Sequence, residues 1–429
     1  MQRSTRLTGT VQDGLVLLIA RRSFIALIAI AAGLCSGCAT GVTGLPTDAT
    51  GHSAVVQGAV YTSIGGSVEW WVEYGPTTAY GSETSHIFDN LAAGETETEL
   101  GGITGLELAS TYHYRFCARD SQQGSTPGCG VDRTFTTQSV ECGATVTQDL
   151  KLTAPMNCSN PSPSDGFTIG ADGVDINLAG YSLTGFPTTV GICNSGHDDV
   201  TIRNGSMAGW ATAIIVGGAN RNSIRGIDGG TFSVGGGEGN EIRHSSGRFF
   251  IGSDGFVLAD SDASAGFGSR SSPAIAVDSD NGRFVRNEIQ GGPFEPGVVV
   301  NGSGNRILES EFYGSTEGCI AIEAGDANVV RDNVVHNCPS DSAGTTGIQI
   351  GDGIFVAAGA SGTLLRDNTV YRNGDDGIDT RSGSTSLMHN QANENADFGI
   401  DAAPGVIDLG GNGAALNGNP LQCRNVFCS

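Results

Sequence analysis

The chain has 429 residues, 67 of them glycine and 13 proline, with no Gly-X-Y period; this composition excludes collagen and long helices and suits many short strands and turns. Apolar residues make up 38 % and charged residues 16 %, which excludes general disorder. The net charge of −23, with residues 138–429 carrying 15 basic groups against 33 acids, excludes a phosphate backbone as partner, and Lys151 is the one lysine available for amine chemistry.

In chain order, Arg21 and Arg22 precede an apolar run from Phe24 to Leu34, too short to span a bilayer but suited to the core of an export signal. The run ends at Cys35-Ser36-Gly37-Cys38, which resembles a bacterial lipobox with Cys38 as the lipidated residue; Cys35 stands where leucine is usual. The expectation is a signal peptide over 1–38 and an exported protein, either anchored at the cell envelope through that lipid or secreted. Export permits disulfides, and nine cysteines follow Cys38. Proximity pairs Cys117 with Cys129, Cys142 with Cys158, Cys319 with Cys338 and Cys423 with Cys428, leaving Cys193 over.

A linker is expected over 39–47. From 48 to 137, short β-branched and aromatic runs (Val55–Val60, Val68–Tyr74, Thr111–Phe116, Arg133–Thr137) alternate with turn signals and predict a β-sandwich. Trp70, Tyr74 and the stretch Gly105 to Tyr112 resemble a fibronectin type III domain, with Leu106 and Tyr112 at that family's Leu-to-Tyr spacing and Leu108 in place of its usual proline. The resemblance implies a spacer or adhesion module in which the Tyr112 hydroxyl ties a strand end to backbone. Trp70 and Trp71 point to opposite faces, so one is expected in the core and the other partly covered at the surface.

Residues 138–429 carry a repeat. Asn287, Ser310, Asn333, Asn368 and Asn390 each open a short strand and are 23, 23, 35 and 22 residues apart. An independent marker, Ile275, Val298, Ile320, Ile354, Ile378 and Ile400, gives steps of 23, 22, 34, 24 and 22. Both show one insertion of about 13 residues, placed around Pro339 to Gly347. A period of this length in short strands predicts a β-solenoid whose turns stack their apolar side chains and line their turn asparagines into a ladder. The tail from Cys423 to Cys428 and the stretch 142–185 read as its caps. His197 to Gly205, Val329 to Asn333, Leu364 to Asn368 and Asn373 to Ile378 resemble the right-handed parallel β-helix repeats of the pectate-lyase-like superfamily. The fold class is therefore all-β: a right-handed parallel β-helix behind a fibronectin type III-like sandwich.

That resemblance implies a polysaccharide or cell-surface glycan as partner and outward-facing residues of one sheet as the working surface. Asp375-Asp376 supplies an Asp-Asp pair, but the Gly-His-Gly and Arg-x-Lys of galacturonan hydrolases are absent. Asp379 and Asp401 follow the inward isoleucines of adjacent turns and should stack about 5 Å apart, with Phe355 one turn earlier. Two carboxylates so close either raise one pKa or hold a cation such as Ca2+. If the protein is an enzyme, a lyase, hydrolase or epimerase, then Asp376, Asp379 and Asp401 carry the chemistry, with Phe355 and Asp375 in contact with the ligand. Set against this, Asp-Gly-Ile is also an ordinary way to enter a solenoid strand. Arginines at 203, 225, 243, 286, 331 and 366, with His389, read as one repeated and Asp-paired edge column. The reading that results is a monomeric, carbohydrate-binding or adhesive surface protein, with a polysaccharide-active enzyme as the alternative.

Overall fold

The computed structural model describes residues 39–121, 126–159, 164–265, 272–292, 296–340 and 351–429. The expected signal peptide with Cys38, and most of the insertion after Pro339, lie outside the described residues. The chain divides into two compact units at Val140/Glu141. Among the described residues no helix is long and apolar enough to cross a membrane.

The first unit is antiparallel. Strand β1 (Ala39–Ala49) pairs with β2 (Ser53–Thr62), and β2 pairs with β6 (Thr96–Thr104). Strand β3 (Gly66–Gly75) lies between β7 (Thr111–Asp120) on one side and β4 (Ser82–Glu83) and β5 (Ile87–Leu91) on the other. Strands β8 (Gly128–Cys129) and β9 (Arg133–Thr136) both pair with β7. Residues 39–47 are thus strand rather than linker: alternate residues of β1 are buried against the core, Ala39 and Ala49 almost completely. The expectation for the tryptophans is also corrected. Both are buried, at 2 % and 3 % exposure. Trp70 stacks on Phe116 and donates its indole N–H to Asp89 at 2.5 Å. On the opposite face Trp71 is covered by the parallel ring of His86, 4.3 Å away, and by the Arg119 guanidinium. Tyr112 accepts the Glu107 N–H at 3.1 Å, a strand end tied to backbone as expected.

The second unit is a parallel solenoid with three strands per turn. Sheet one carries the column Phe167, Ile192, Ile214, Phe232, Phe249, Ile275, Val298, Ile320, Ile354, Ile378, Ile400, each in register with the next. All are at most 2 % exposed, so each contributes roughly 1.5–3 kcal/mol of apolar burial. Sheet two stacks Ile307, Val330, Leu365 and Leu387, and sheet three stacks Ile289, Phe312, Val335, Val370 and Ala392. Between sheets two and three the ladder runs as the repeat predicts. Asn287 N–H donates to Ser310 Oγ, Ser310 N–H to Asn333 Oδ1, Asn333 N–H to Asn368 Oδ1, and Asn368 N–H to Asn390 Oδ1, at 3.0–3.2 Å. A second ladder, Asn373–Asn395–Asn417, follows sheet three. Every such amide satisfies backbone that bends inside the fold and cannot reach water.

Two details differ from the sequence reading. The arginine column is interrupted: Arg203, Arg225 and Arg243 stack, but Ala259, Val285 and Leu308 continue the column before Arg331 and Arg366. Arg286 and His389 belong one residue further on, at a corner where Asp260, Arg286, Glu309, Asp332, Asp367 and His389 all take φ of 49–58°. Corner neighbours pair there, Arg286 with Asp260 at 2.7 Å. At the N-terminal end of the solenoid, 144–146 pairs with 167–169 and 150–151 with 176–177, so the stretch 142–185 contributes its first turn. The four expected disulfides are all formed, and Cys193 is free.

Candidate functional site

Sheet one has an outward column as regular as its inward one. Ala321, Phe355, Asp379, Asp401 and Arg424 succeed each other in register on consecutive turns. Alternation along a strand puts each of them opposite its inward isoleucine, and parallel strands bring successive side chains within about 5 Å. The structure therefore brings Asp379 and Asp401 together beside Phe355.

It also gives each carboxylate an arginine. Arg381 holds Asp379 through Nε at 3.0 Å and Nη2 at 2.9 Å, and its guanidinium lies 5.6 Å from the Phe355 ring centre. Arg424 grips Asp401 with two nitrogens and lies 5.2 Å from the Phe398 ring centre. Asp379 is 5 % exposed. Burial raises its pKa, and the Arg381 hydrogen bond and charge work against that rise. A cleft of about 560 Å³ opens over these two pairs and Pro404.

Asp376 is not in this column. It sits at the strand entry, where its carboxylate accepts the Phe398 N–H at 2.8 Å. Asp352, one turn earlier, does the same for the Asp376 N–H at 3.1 Å. Both are strand-entry residues and both are buried. Burial, with neighbouring carboxylates adding to it, pushes Asp376 up to about 7 and Asp352 up to about 8. Asp375 is exposed overall, but partial desolvation of its carboxyl, with the Asp397 charge beside it, raises its pKa too. The carboxylates of Asp375, Asp376 and Asp397 lie within 4.8 Å of one another, the spacing at which oxygen ligands could hold a divalent cation.

The sequence reading named Phe355, Asp375, Asp376, Asp379 and Asp401 and missed four partners. Asp352 had a signal, since Asp352-Gly353-Ile354 repeats the Asp376-Gly377-Ile378 pattern. Arg424 required extending the period one step beyond Ile400, to Cys423. Asp397 stands one 22-residue step after Asp375, as Asp401 does after Asp379, whereas Arg381 carried no periodic mark.

The profile described as the right handed beta helix region matches residues 273–419. Over that stretch the solenoid is similar to the right-handed β-helix family. A search of curated protein sequences found no match. Among solved structures, the Dettilon tailspike protein is similar at 13 % identity over 66 % of this chain, which spans 60 % of the tailspike, with a TM-score of 0.38. The periplasmic alginate epimerase AlgG is similar at 14 % identity, covering 60 % of this chain and 68 % of its own, with a TM-score of 0.33. A pectate lyase gives 12 % identity, 64 % and 70 % coverage, and a TM-score of 0.27.

Proposed function

We propose that the right-handed β-helix is a glycan-binding rod, and that the outward column of sheet one, from Phe355 to Arg424, is its contact surface. The observation that carries the reading is the pairing of both column carboxylates with guanidiniums over aromatic rings. Such pairs present fixed acceptors and fixed donors side by side, which sugar hydroxyls match in both senses. Phe355, 3 % exposed, lies beneath the Arg381 guanidinium and helps hold it in place. The surplus of acids over residues 138–429 disfavours polyuronates unless a divalent cation at Asp375, Asp376 and Asp397 bridges them. Neutral glycans are the expected partners.

The rest of the chain fits a surface protein acting as a monomer. Four disulfides suit an extracellular or periplasmic compartment. Lipidation at Cys38 would hold the protein at the envelope. The strand pairing of residues 48–137 and the Tyr112–Glu107 bond support a fibronectin type III-like spacer.

One observation favours an enzyme instead: Asp352 and Asp376 hold protons near neutrality, the property a general acid needs. Purified protein titrated with neutral and acidic polysaccharides, with Ca2+ and with chelator, separates the readings. Binding without new reducing ends or unsaturated products is expected, weakened roughly tenfold by Arg381→Ala, which removes a charge-assisted contact. Turnover that disappears in Asp376→Asn would establish the enzyme. Absence of any polysaccharide binding would refute the glycan role.

A further inference from the structure

The repeat contracts in one place. Around residues 223–262 successive turns are only 16–18 residues apart: Ile224 pairs with Ile242, Ile242 with Leu258, and Phe232 with Phe249. Two turns there run from sheet three into sheet one as continuous strands, Ser223–Glu238 and Ser246–Asp254, with no loop at the corner. Gly230 makes this possible. Its φ is +100°, and a Cβ on it would meet the Ala213 Cβ at 2.4 Å. Losing the corner loops cuts a recess into the flank of the solenoid, a cleft of about 420 Å³ over Gly229, Gly230 and Gly247.

One end wall of this cleft is Tyr313. Gln290, Tyr313, His336 and Tyr371 form an outward column of sheet three. The three rings stack: Tyr313 and His336 are 5.7 Å apart at 7°, His336 and Tyr371 5.0 Å apart at 17°. At the far end Arg372 lies over Tyr371. On the side away from His336 the next residue of the column is Gln290, which lines the same cleft as Tyr313. The stack is fixed by carboxylates. Tyr313 donates its hydroxyl to Glu288 at 2.7 Å, and His336 Nε2 lies 2.8 Å from Glu311. The Glu288 bond pushes the Tyr313 phenol up to about 12, so it stays a donor at any working pH. Gln290, Ser264, Asp262 and Arg248 line the same cleft.

We infer that this recess is a second sugar-binding site, taking one or two residues of a neutral glycan against the Tyr313 ring. A rigid aromatic wall, a floor of glycines and a rim of amide, hydroxyl and carboxylate groups match the C–H face and hydroxyl edge of a hexose. The ring is already ordered before a ligand arrives, so little side-chain entropy remains to be lost. Asp262, Glu288 and Glu311 stack beside it and disfavour a uronate. The site stands on sheet three and its corner, and does not depend on the sheet-one column.

Titration calorimetry of the full chain with cellohexaose, mannohexaose and a galacturonate hexamer tests it, together with amide exchange at 246–254 and 288–290. The two neutral oligosaccharides are the probes for the site; binding of at least one, with protection at those strands, is expected. Tyr313→Ala should weaken it roughly tenfold or more, whereas Tyr313→Phe, which keeps the ring, should stay within about threefold. Thermal unfolding of both variants shows whether the fold is kept, and Tyr313→Phe reports on the wall even if Tyr313→Ala does not fold. Binding that survives Tyr313→Ala but is lost in Arg381→Ala would overturn this site and leave the sheet-one reading standing. Binding lost in Tyr313→Ala but kept in Arg381→Ala would support this site and count against sheet one. Failure of both neutral hexaoses to bind, or tighter binding of the galacturonate hexamer, would also overturn it.

Discussion

Asn368→Ala should destabilise the solenoid by roughly 3–6 kcal/mol, among the largest effects expected of a single polar substitution in the described residues. Asn368 is 1 % exposed and its side chain makes four hydrogen bonds. Its Oδ1 accepts the backbone N–H and the side-chain amide of Asn333 at 3.2 and 3.0 Å. Its Nδ2 donates to Val330 O and to Asn390 Oδ1, both at 2.9 Å. Alanine has no group for any of them, and each orphaned buried partner costs about 1–3 kcal/mol. Stability in such a repeat is shared between neighbouring turns, so the loss should also broaden the transition rather than only shift it. Urea unfolding followed by far-UV circular dichroism checks this. A cost below about 1 kcal/mol would mean that the ladder is incidental to the fold.

Stability should fall as pH rises from about 5 to 8.5, and Asp352→Asn should abolish much of that fall. Asp352 and Asp376 have their carboxyl pKa raised in the fold, to about 8 and about 7, by burial and by the surrounding acids. Between the ordinary carboxyl value and these values the folded state binds protons that the unfolded state has released. Their contribution is complete below about pH 4 and is lost as pH climbs through 7 and 8. Arginine-paired acids such as Asp199 and Asp260 are shifted downward, chiefly by hydrogen bonds from Arg221 and Arg286. Their contribution is present above the ordinary carboxyl value and is lost only in acid, so it is constant across this window. In the Asp352→Asn variant the new side chain carries no charge at pH 8, and its amide oxygen can still accept the Asp376 N–H. The variant should therefore be more stable than the parent at pH 8, by on the order of 3 kcal/mol, and no more stable at pH 4. Differential scanning calorimetry across the range reads both. Equal melting temperatures at pH 8 would show that Asp352 ionises without penalty.

The sequence carried the solenoid because a period is a global signal. The Ile320–Ile354–Ile378–Ile400 column survives an insertion of a dozen residues, since each step is constrained by the turns on both sides. The asparagine ladder and the stacking of Asp379 on Asp401 follow from the same indexing. Indexing failed where the period alone does not say which residue turns the corner, as with Arg286 and His389. It also failed where burial depends on distant cover, as when His86 and Arg119 close over Trp71. The pairing of the site carboxylates was hidden for a related reason. Arg381 is two residues beyond Asp379, but only side-chain direction reveals that it folds back across Phe355. The Tyr313 wall was legible in principle, as residues 290, 313, 336 and 371 share the register of the ladder asparagines.

The most direct test is to locate a bound oligosaccharide on the β-helix, by crystallography or by chemical-shift mapping with whichever neutral glycan binds in titration. Contacts at Arg381, Arg424 and the Asp379–Asp401 pair, with the chain running along the stacked turns, are the predicted result. A glycan held only on the first unit, with the sheet-one column untouched, would contradict the account.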